Sequence, residues 1–205
     1  MTKFKLYLAD SYTMPSKKDK GTAIARKNNM YKLIAVGIIA AIVSIVGVAA
    51  YNYYLHQEAK NSRIAAFGPI TETEHKHAIF KLFINGSEPV NFSLPKYQLT
   101  NPYIHFENNI GMIVHRHAAN VDIGYLFESM GMKFNRDCFV LDDGRSFCND
   151  GSNTLKFYVN GEPNDQYDRY VIQEGDRVLI SYGPKDDPDL ERQLRTLDEL
   201  AGIMR

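Results

Sequence analysis

The sequence predicts an α+β protein with one N-terminal transmembrane helix, a β-rich domain and a C-terminal amphipathic helix. Three observations predict this class. Residues 33–50 form an unbroken apolar run, residues 75–183 alternate apolar and polar residues between turn dipeptides, and leucines from position 190 onward recur at helical spacing. Such a run is typical of a membrane span, whereas the alternation and the helical repeat are typical of half-buried strands and amphipathic helices. The predicted segments are 1–30, 31–55, 56–74, 75–183 and 184–205.

Residues 31–55 are predicted to cross a lipid bilayer as a single helix. Within them, 18 consecutive residues are apolar or small, with Ser44 as the one hydroxyl-bearing residue and no charge. Because a helix rises about 1.5 Å per residue, roughly 20 residues cross the hydrocarbon core. Tyrosines stand at both ends of the segment, where membrane helices carry an aromatic belt. A core helix of a soluble protein would show a polar face, and this segment shows none.

The distribution of charge predicts the orientation of the span. Residues 1–32 contain eight basic and two acidic residues, whereas the rest of the chain contains 16 basic and 22 acidic residues. Because basic flanks stay in the cytoplasm, residues 1–30 are interpreted as a flexible basic cytoplasmic tail, and everything after residue 55 as extracytoplasmic. The alternative is a cleaved signal peptide, whose apolar core would be shorter. Nucleic acid is not an expected partner, since the outer part is acidic.

The outer domain is predicted to be built from strands around one helix. Residues 56–74 are expected to continue the first helix as far as Gly68 and then to form a linker. Alternation and turn residues predict strands at 75–85, 90–94, 103–107, 112–117, 138–141, 145–148, 154–160 and 176–182, and a helix at 121–130. Asn85-Gly86 and Asn160-Gly161 are the dipeptides expected to turn the chain after two of these strands.

The two cysteines predict a hairpin closed by a disulfide bond. Nine residues separate Cys138 from Cys148, and Asp143-Gly144 between them is a strong hairpin turn signal. In an oxidising compartment the pair is interpreted as one structural disulfide, worth about 2–3 kcal/mol. Redox activity or metal ligation is the alternative. Redox cysteines are usually arranged as Cys-x-x-Cys at a helix start, and this chain lacks that pattern.

Four of the six histidines form two identical pairs, His75/His77 and His115/His117, each with one basic residue between its members. A strand repeats every two residues, so both histidines of a pair point to the same side. If the two strands are neighbours, four imidazoles share one face of the sheet. His105, which precedes the second pair by ten residues, is the fifth candidate.

These five imidazoles predict a copper or zinc site. Neutral imidazole suits both metals, of which zinc prefers a tetrahedral set and Cu(II) a planar one. Glu74 or Glu107 could complete the set. The alternative is a group of ordinary histidines at the surface or half buried on their strands. The chain carries no Gly-x-Ser-x-Gly or His-Glu-x-x-His motif, so a binding role has more support than an enzymatic one.

The C-terminal segment is predicted to be an amphipathic helix. Asp187 is a suitable N-cap and Pro188 a suitable first helical residue. Apolar residues then recur along one stripe, namely Leu190, Leu194, Leu197 and Ala201. This narrow stripe permits two interpretations: the helix packs against its own domain, or residues 186–205 dock on another subunit.

Two resemblances follow from these motifs. Residues 154–183, with Val159-Asn160-Gly161 and then Gly175-Asp176 before an apolar strand, resemble the end of a ubiquitin-like β-grasp domain. More widely, residues 75–183 resemble a family of membrane-anchored extracytoplasmic archaeal proteins of the ammonia-oxidiser type, some of them labelled protein disulfide isomerase. The residues that carry this resemblance are the two histidine pairs, the cysteine pair, Val159-Asn160-Gly161 and the segment 92–97. The isomerase label implies thiol exchange. This chain departs from the pattern expected for that activity, because it contains no Cys-x-x-Cys.

The expected function is that of a single-pass, extracytoplasmic metal-binding accessory protein or subunit of a larger membrane complex. It would contact that complex through the span and through residues 186–205. Two other functions stay open from the sequence. One is a structural accessory subunit of a membrane enzyme, such as an ammonia-oxidising copper monooxygenase, with no metal of its own. The other is an extracytoplasmic thiol-disulfide oxidoreductase.

Overall fold

The computed structural model describes the backbone of residues 17–203 and the side chains of residue 22 and residues 26–202. The predictions for residues 1–16 of the basic tail and for residues 204–205 lie outside the described residues. The chain divides into two compact units with the boundary between Lys60 and Asn61. The described part is a mixed α and β structure, as predicted, with one long apolar helix followed by a sheet domain.

The first helix, α1, runs over Lys17–Ala66 and is 50 residues long. From Arg26 onward it is long and apolar enough to cross a membrane, and its apolar side chains are exposed; a signal sequence can have the same length and composition. The prediction of a flexible tail is wrong for residues 17–30, because these residues are helical. Lys, Ala and Arg are good helix formers, and extending an existing helix avoids the cost of nucleation. The predicted end is confirmed: Gly68 has a positive φ of 82°, which terminates the helical path.

The second unit contains nine strands, two further α-helices and three short 3-10 helices among the described residues. The strands are β1 Lys76–Ile84, β2 Ile104–Glu107, β3 Ile110–Arg116, β4 Lys133–Phe134, β5 Cys138–Val140, β6 Ser146–Cys148, β7 Asn153–Val159, β8 Glu162–Pro163 and β9 Asp176–Pro184. The helices are α2 Ile123–Ser129 and α3 Leu190–Ile203. Seven strands and both helices lie where the sequence pattern predicts them. The two-residue strands β4 and β8 were not predicted, because so short a segment has no measurable alternation.

Six strands form the main sheet in the order β2-β3-β1-β9-β7-β8, and β4, β5 and β6 form a small second sheet. Strands β1 and β9, the first and last of the domain, are parallel neighbours at the centre. Their outer neighbours, β3 and β7, are antiparallel to them. The centre of the sheet therefore joins segments about 100 residues apart in sequence, and its pairing cannot be derived from local turns.

The return strand predicted at 90–94 is wrong. The Asn85-Gly86 turn does form, with φ values of 49° and 77°, and Ile84 and Ser87 make one bridge across it. The chain then leaves β1 because both edges of β1 are occupied, one by β3 and the other by β9. The hairpin predicted next along the chain is confirmed as β2 and β3, with Asn108 and Asn109 in its turn.

The main sheet is covered on both faces. One face packs against α2 in the larger core, which includes Phe80, Phe106 and Phe127. On the other face, Ile79, Phe83 and Leu179 pack against Leu197 of α3. This contact confirms the first interpretation of the C-terminal helix, because its apolar stripe is buried against its own domain. Contact with α3 also explains why β1 has buried side chains on both of its faces and not only at alternate positions.

Strands β5 and β6 place Cys138 directly opposite Cys148, and the two sulfur atoms are bonded. Gly144 has a positive φ of 88° in the turn between the strands, which favours glycine at this position. The hairpin and its disulfide thus follow the prediction from the Asp-Gly turn and the cysteine spacing.

Candidate metal centre

Strand register brings the predicted histidines together on one face of the sheet. His77 on β1 lies opposite His115 on β3, and His115 lies opposite His105 on β2. The side-chain period of two places His75 and His117 on the same face, one step further toward the sheet end. The five histidines predicted from the sequence therefore form one group across three neighbouring strands, here called the histidine cluster (His75, His77, His105, His115 and His117).

The imidazole rings of the histidine cluster are in contact. Ring centroids are 4.6 Å apart for His75 and His77, 4.4 Å for His75 and His117, and 4.7 Å for His77 and His115. His105 is 4.9 Å from His117 by the same measure. One nitrogen from each of His75, His77 and His115 lies within 4.8 Å of the others, so these three residues could hold a metal ion.

Glu107 is the carboxylate that belongs to the cluster. Its Oε2 lies 3.4 Å from His105 Nε2, and its Oε1 lies 3.5 Å from His115 Nδ1. From the sequence, Glu107 was only one of two supplementary ligand candidates. The β2–β3 register shifts between His105 and Glu107, and no local sequence pattern predicts such a shift. Glu74, the other supplementary candidate, instead pairs with the buried Arg116 at 2.8 Å.

Neighbouring acceptors orient two of the imidazoles. His105 Nδ1 lies 2.8 Å from the carbonyl oxygen of Asn101. His77 Nδ1 lies 3.5 Å from Glu174 Oε1, and the His77 backbone N–H donates to Oε2 of the same carboxylate. Metal-binding histidines commonly have this arrangement, in which the second ring nitrogen contacts a carbonyl or carboxylate. In His105 this contact leaves Nε2 as the nitrogen that can bind a ligand.

Burial and mutual repulsion keep part of the cluster uncharged. Burial is the main cause that lowers the pKa of His115 to about 4; the nearby His77, His105 and His75 act in the same direction, and Glu107 acts against them. The pKa of His117 is lowered too, by burial and then by His105 and His75. Burial raises the pKa of Glu107, but His115 and His105 outweigh it, so this pKa is lowered overall. Near neutral pH His115 and His117 are thus neutral and Glu107 is ionised, the protonation states that metals require.

We expect the metal-free chain to lose stability as the pH falls from 6.5, the ordinary pKa of histidine, toward the value of about 4 for folded His115. Over that interval the unfolded chain binds a proton that the folded chain excludes, so stability is full above 6.5 and declines below it. The urea midpoint of the chelator-treated full chain in detergent, measured at about pH 7.5 and about pH 5 by near-ultraviolet circular dichroism, checks this. His115→Ala should show a smaller decline. A wild-type midpoint that is constant or higher at the lower pH would contradict the expectation.

The geometry of the cluster is the main source of functional information for this chain. Comparison of this chain with protein-family models, with curated proteins and with solved structures finds no match.

Proposed function

We propose that this protein is a membrane-anchored, extracytoplasmic copper- or zinc-binding accessory protein of a larger membrane complex. The observation that carries the proposal is the approach of His75, His77 and His115, whose ligand nitrogens lie within 4.8 Å of one another. These three imidazoles and the neighbouring carboxylate of Glu107 form a donor set that suits Zn(II) and Cu(II), and burial keeps the pKa of His115 low. A purely structural role would not require these donors to converge.

The spacing of two nitrogens bears on the choice of metal. His75 Nε2 and His115 Nδ1 are 3.3 Å apart. A tetrahedral zinc ion with bonds of about 2.0–2.1 Å separates its ligand nitrogens by roughly 3.3 Å. Neighbouring ligands of a planar Cu(II) ion are closer, at roughly 2.8 Å. Both cysteines are in the disulfide, so this chain supplies no thiolate of the kind that selects Cu(I). The spacing supports zinc, and Cu(II) stays in the proposal because imidazole suits it equally.

Three features support a membrane-anchored location with the cluster outside the cytoplasm. The exposed apolar side chains of α1 suit contact with a lipid bilayer. Residues 1–32 are strongly basic, which favours a cytoplasmic N-terminus. The Cys138–Cys148 bond is typical of an oxidising compartment. The span and the outer surface of residues 186–205 are the proposed contacts with a larger complex.

We further propose that the domain has the ubiquitin-like β-grasp arrangement. Its support is the parallel central pair of first and last strands, β1 and β9, with antiparallel strands on either side. The helix α2, which lies between the two halves of the sheet in sequence and covers one face, is a second similarity. The arrangement assigns no chemistry, since one fold carries many functions.

Metal analysis of the full chain in detergent micelles tests the proposed function. The wild type and the variant His75→Ala/His77→Ala/His115→Ala are each offered one equivalent of zinc or copper in competition with a chelator. Because all three converging ligands are removed, we expect the triple variant to bind metal more weakly by well over the roughly 100-fold that the loss of one residue behind a ligand can cause. His56→Ala, which changes the remaining histidine on α1, is the matched control and should bind as the wild type does. Equal metal content in the wild type and the triple variant would refute the proposal, and no metal in a folded wild type would favour a structural subunit.

A further inference from the structure

We infer that the histidine cluster holds two metal ions rather than one, with Glu107 bridging them. The first ion binds at His75, His77 and His115, and the second at His105 and His117. This inference rests on the proposed function and extends it from a single metal site to a dinuclear one.

The width of the cluster argues against one ion. His77, His115 and His105 occupy three neighbouring strands at paired positions. Neighbouring strands are about 4.8 Å apart, so the outer two histidines start from backbone positions separated by roughly 10 Å. The ligands of one tetrahedral ion lie roughly 3.3 Å from each other. The described residues whose ligand atoms lie within 4.8 Å of one another are His75, His77 and His115 and do not include His105, so a single ion bound there leaves His105 without a metal.

His105 is prepared as a ligand for a different ion. Its Nδ1 is 2.8 Å from the carbonyl oxygen of Asn101, and a carbonyl only accepts, so the proton of the neutral ring sits on Nδ1. The lone pair is then on Nε2, which is buried and has no hydrogen-bond partner within the part of the chain that the structure describes. Although Glu107 Oε2 is 3.4 Å from this nitrogen, the contact does not have hydrogen-bond geometry. Buried ligand atoms without a partner are uncommon, and a metal ion would satisfy this one.

His117 presents a second nitrogen of the same kind. Its Nε2 is also buried without a hydrogen-bond partner among the described residues. The His117 and His105 rings are stacked with centroids 4.9 Å apart, so the two unsatisfied nitrogens belong to neighbouring side chains. Together they provide two imidazole donors that the first metal position does not use.

Glu107 connects the two positions. One carboxylate oxygen lies 3.5 Å from His115 Nδ1, at the first position, and the other lies 3.4 Å from His105 Nε2, at the second. Both distances are close to the roughly 3.3 Å that separates two ligands of one tetrahedral ion. Each oxygen is thus placed as a co-ligand of a different histidine, which is the geometry of a bridging carboxylate. Its negative charge also reduces the repulsion between two dications.

The two positions should differ in affinity. His75, His77 and His115 already converge within 4.8 Å, and no second trio within the described residues is as tight. Binding of the second ion must therefore draw His105, His117 and Glu107 closer together. This rearrangement costs free energy, and binding at the first position does not require it. We expect stepwise binding, with the first ion bound at least about 10-fold more tightly than the second.

Equilibrium dialysis of the full chain in detergent against buffered free zinc tests the inference. The wild type should bind two equivalents in two steps. The variant His105→Ala/His117→Ala should keep the first step and lose the second, whereas His56→Ala should keep both. Glu107→Gln is close in shape to the wild-type side chain and should weaken the second step by about 10-fold or more, with the smaller effect on the first. Far-ultraviolet circular dichroism of each variant establishes that it is folded.

The outcomes separate this inference from the proposed function. A wild type that saturates at one equivalent, with the His105→Ala/His117→Ala variant unchanged, overturns the second position and leaves the proposed function standing. Two equivalents in both proteins would place the second ion elsewhere and overturn the inference as well. A second step that Glu107→Gln leaves unaltered overturns the bridge. No binding by the folded wild type overturns both proposals.

Discussion

Gly111→Ala is expected to destabilise the outer domain by about 3 kcal/mol, because there is no room for a side chain at this position. A Cβ atom there would lie against the backbone nitrogen of Ser93 and 2.5 Å from the carbonyl carbon of Phe92. Both contacts are with backbone, so rotation of a side chain cannot relieve them. The Gly111 N–H also donates to Ser93 Oγ, and separation of the two segments would break that bond.

The same substitution should weaken metal binding. Gly111 lies near the start of β3, the strand that carries His115 into the cluster. Phe92, which would be displaced, stacks on Phe106 in β2 with ring centroids 5.1 Å apart. A shift of this contact would disturb β2, the strand that carries His105 and Glu107, so the loss of stability and the loss of affinity have one cause.

The midpoint of urea unfolding and the zinc affinity of the full chain in detergent test this prediction. Gly151→Ala is the matched control, because a Cβ at that loop position meets nothing within 4 Å. We expect the control to unfold within about 0.5 kcal/mol of the wild type. Equal midpoints for the two alanine variants would show that the Phe92–Ser93 segment moves freely and would contradict the prediction.

His115→Ala is expected to reduce the affinity for the first metal ion by about 100-fold, a larger loss than any other single histidine change in the cluster. His115 lies on the middle strand of the three that form the site, between His77 and His105. It contacts His75 through the 3.3 Å pair of ring nitrogens and Glu107 at 3.5 Å. Its removal therefore takes away one ligand and the neighbour that positions two others.

His75→Ala provides the graded comparison. His75 lies outside β1, at the edge of the cluster, so its loss leaves the opposed pair of His77 and His115 in place. We expect a loss of about 10-fold for this variant and no change for His56→Ala, as measured by competition with a chelator. An affinity of His115→Ala equal to that of the wild type, in a protein with the native circular dichroism spectrum, would remove His115 from the site.

Much of the local structure was predictable because it depends on neighbours in sequence. The Asn85-Gly86 and Asn160-Gly161 turns occur where expected, with positive φ at each residue. The helix α2 begins at its N-cap Asp122, whose carboxylate accepts the N–H of Tyr125, and is followed by Gly131 with φ 78°. Each of these features requires only a few adjacent residues to have particular backbone preferences.

The predictions that were wrong concern competition between segments. A strand at 90–94 has a suitable local pattern, but β3 and β9 already occupy both edges of β1. Residues 17–30 have no apolar periodicity outside the short segment 22–27, yet they are helical because α1 extends back through them. In both cases the local structure depended on a neighbouring element, either a strand edge that was already occupied or a helix that could be extended. A short window of sequence does not contain that information.

By itself, the sequence determined the apolar length of α1, the positions of the turns and the shared side of each His-x-His pair, because these follow from composition and from the two-residue period of a strand. Only the tertiary structure decided that β3 pairs with β1 and β2 in the register that sets His115 between His77 and His105. It also decided that Glu107 joins the cluster while Glu74 pairs with Arg116. The physical reason is that strand register is chosen by burial of whole faces across the sheet, so the donors of this site converge only after distant segments have paired.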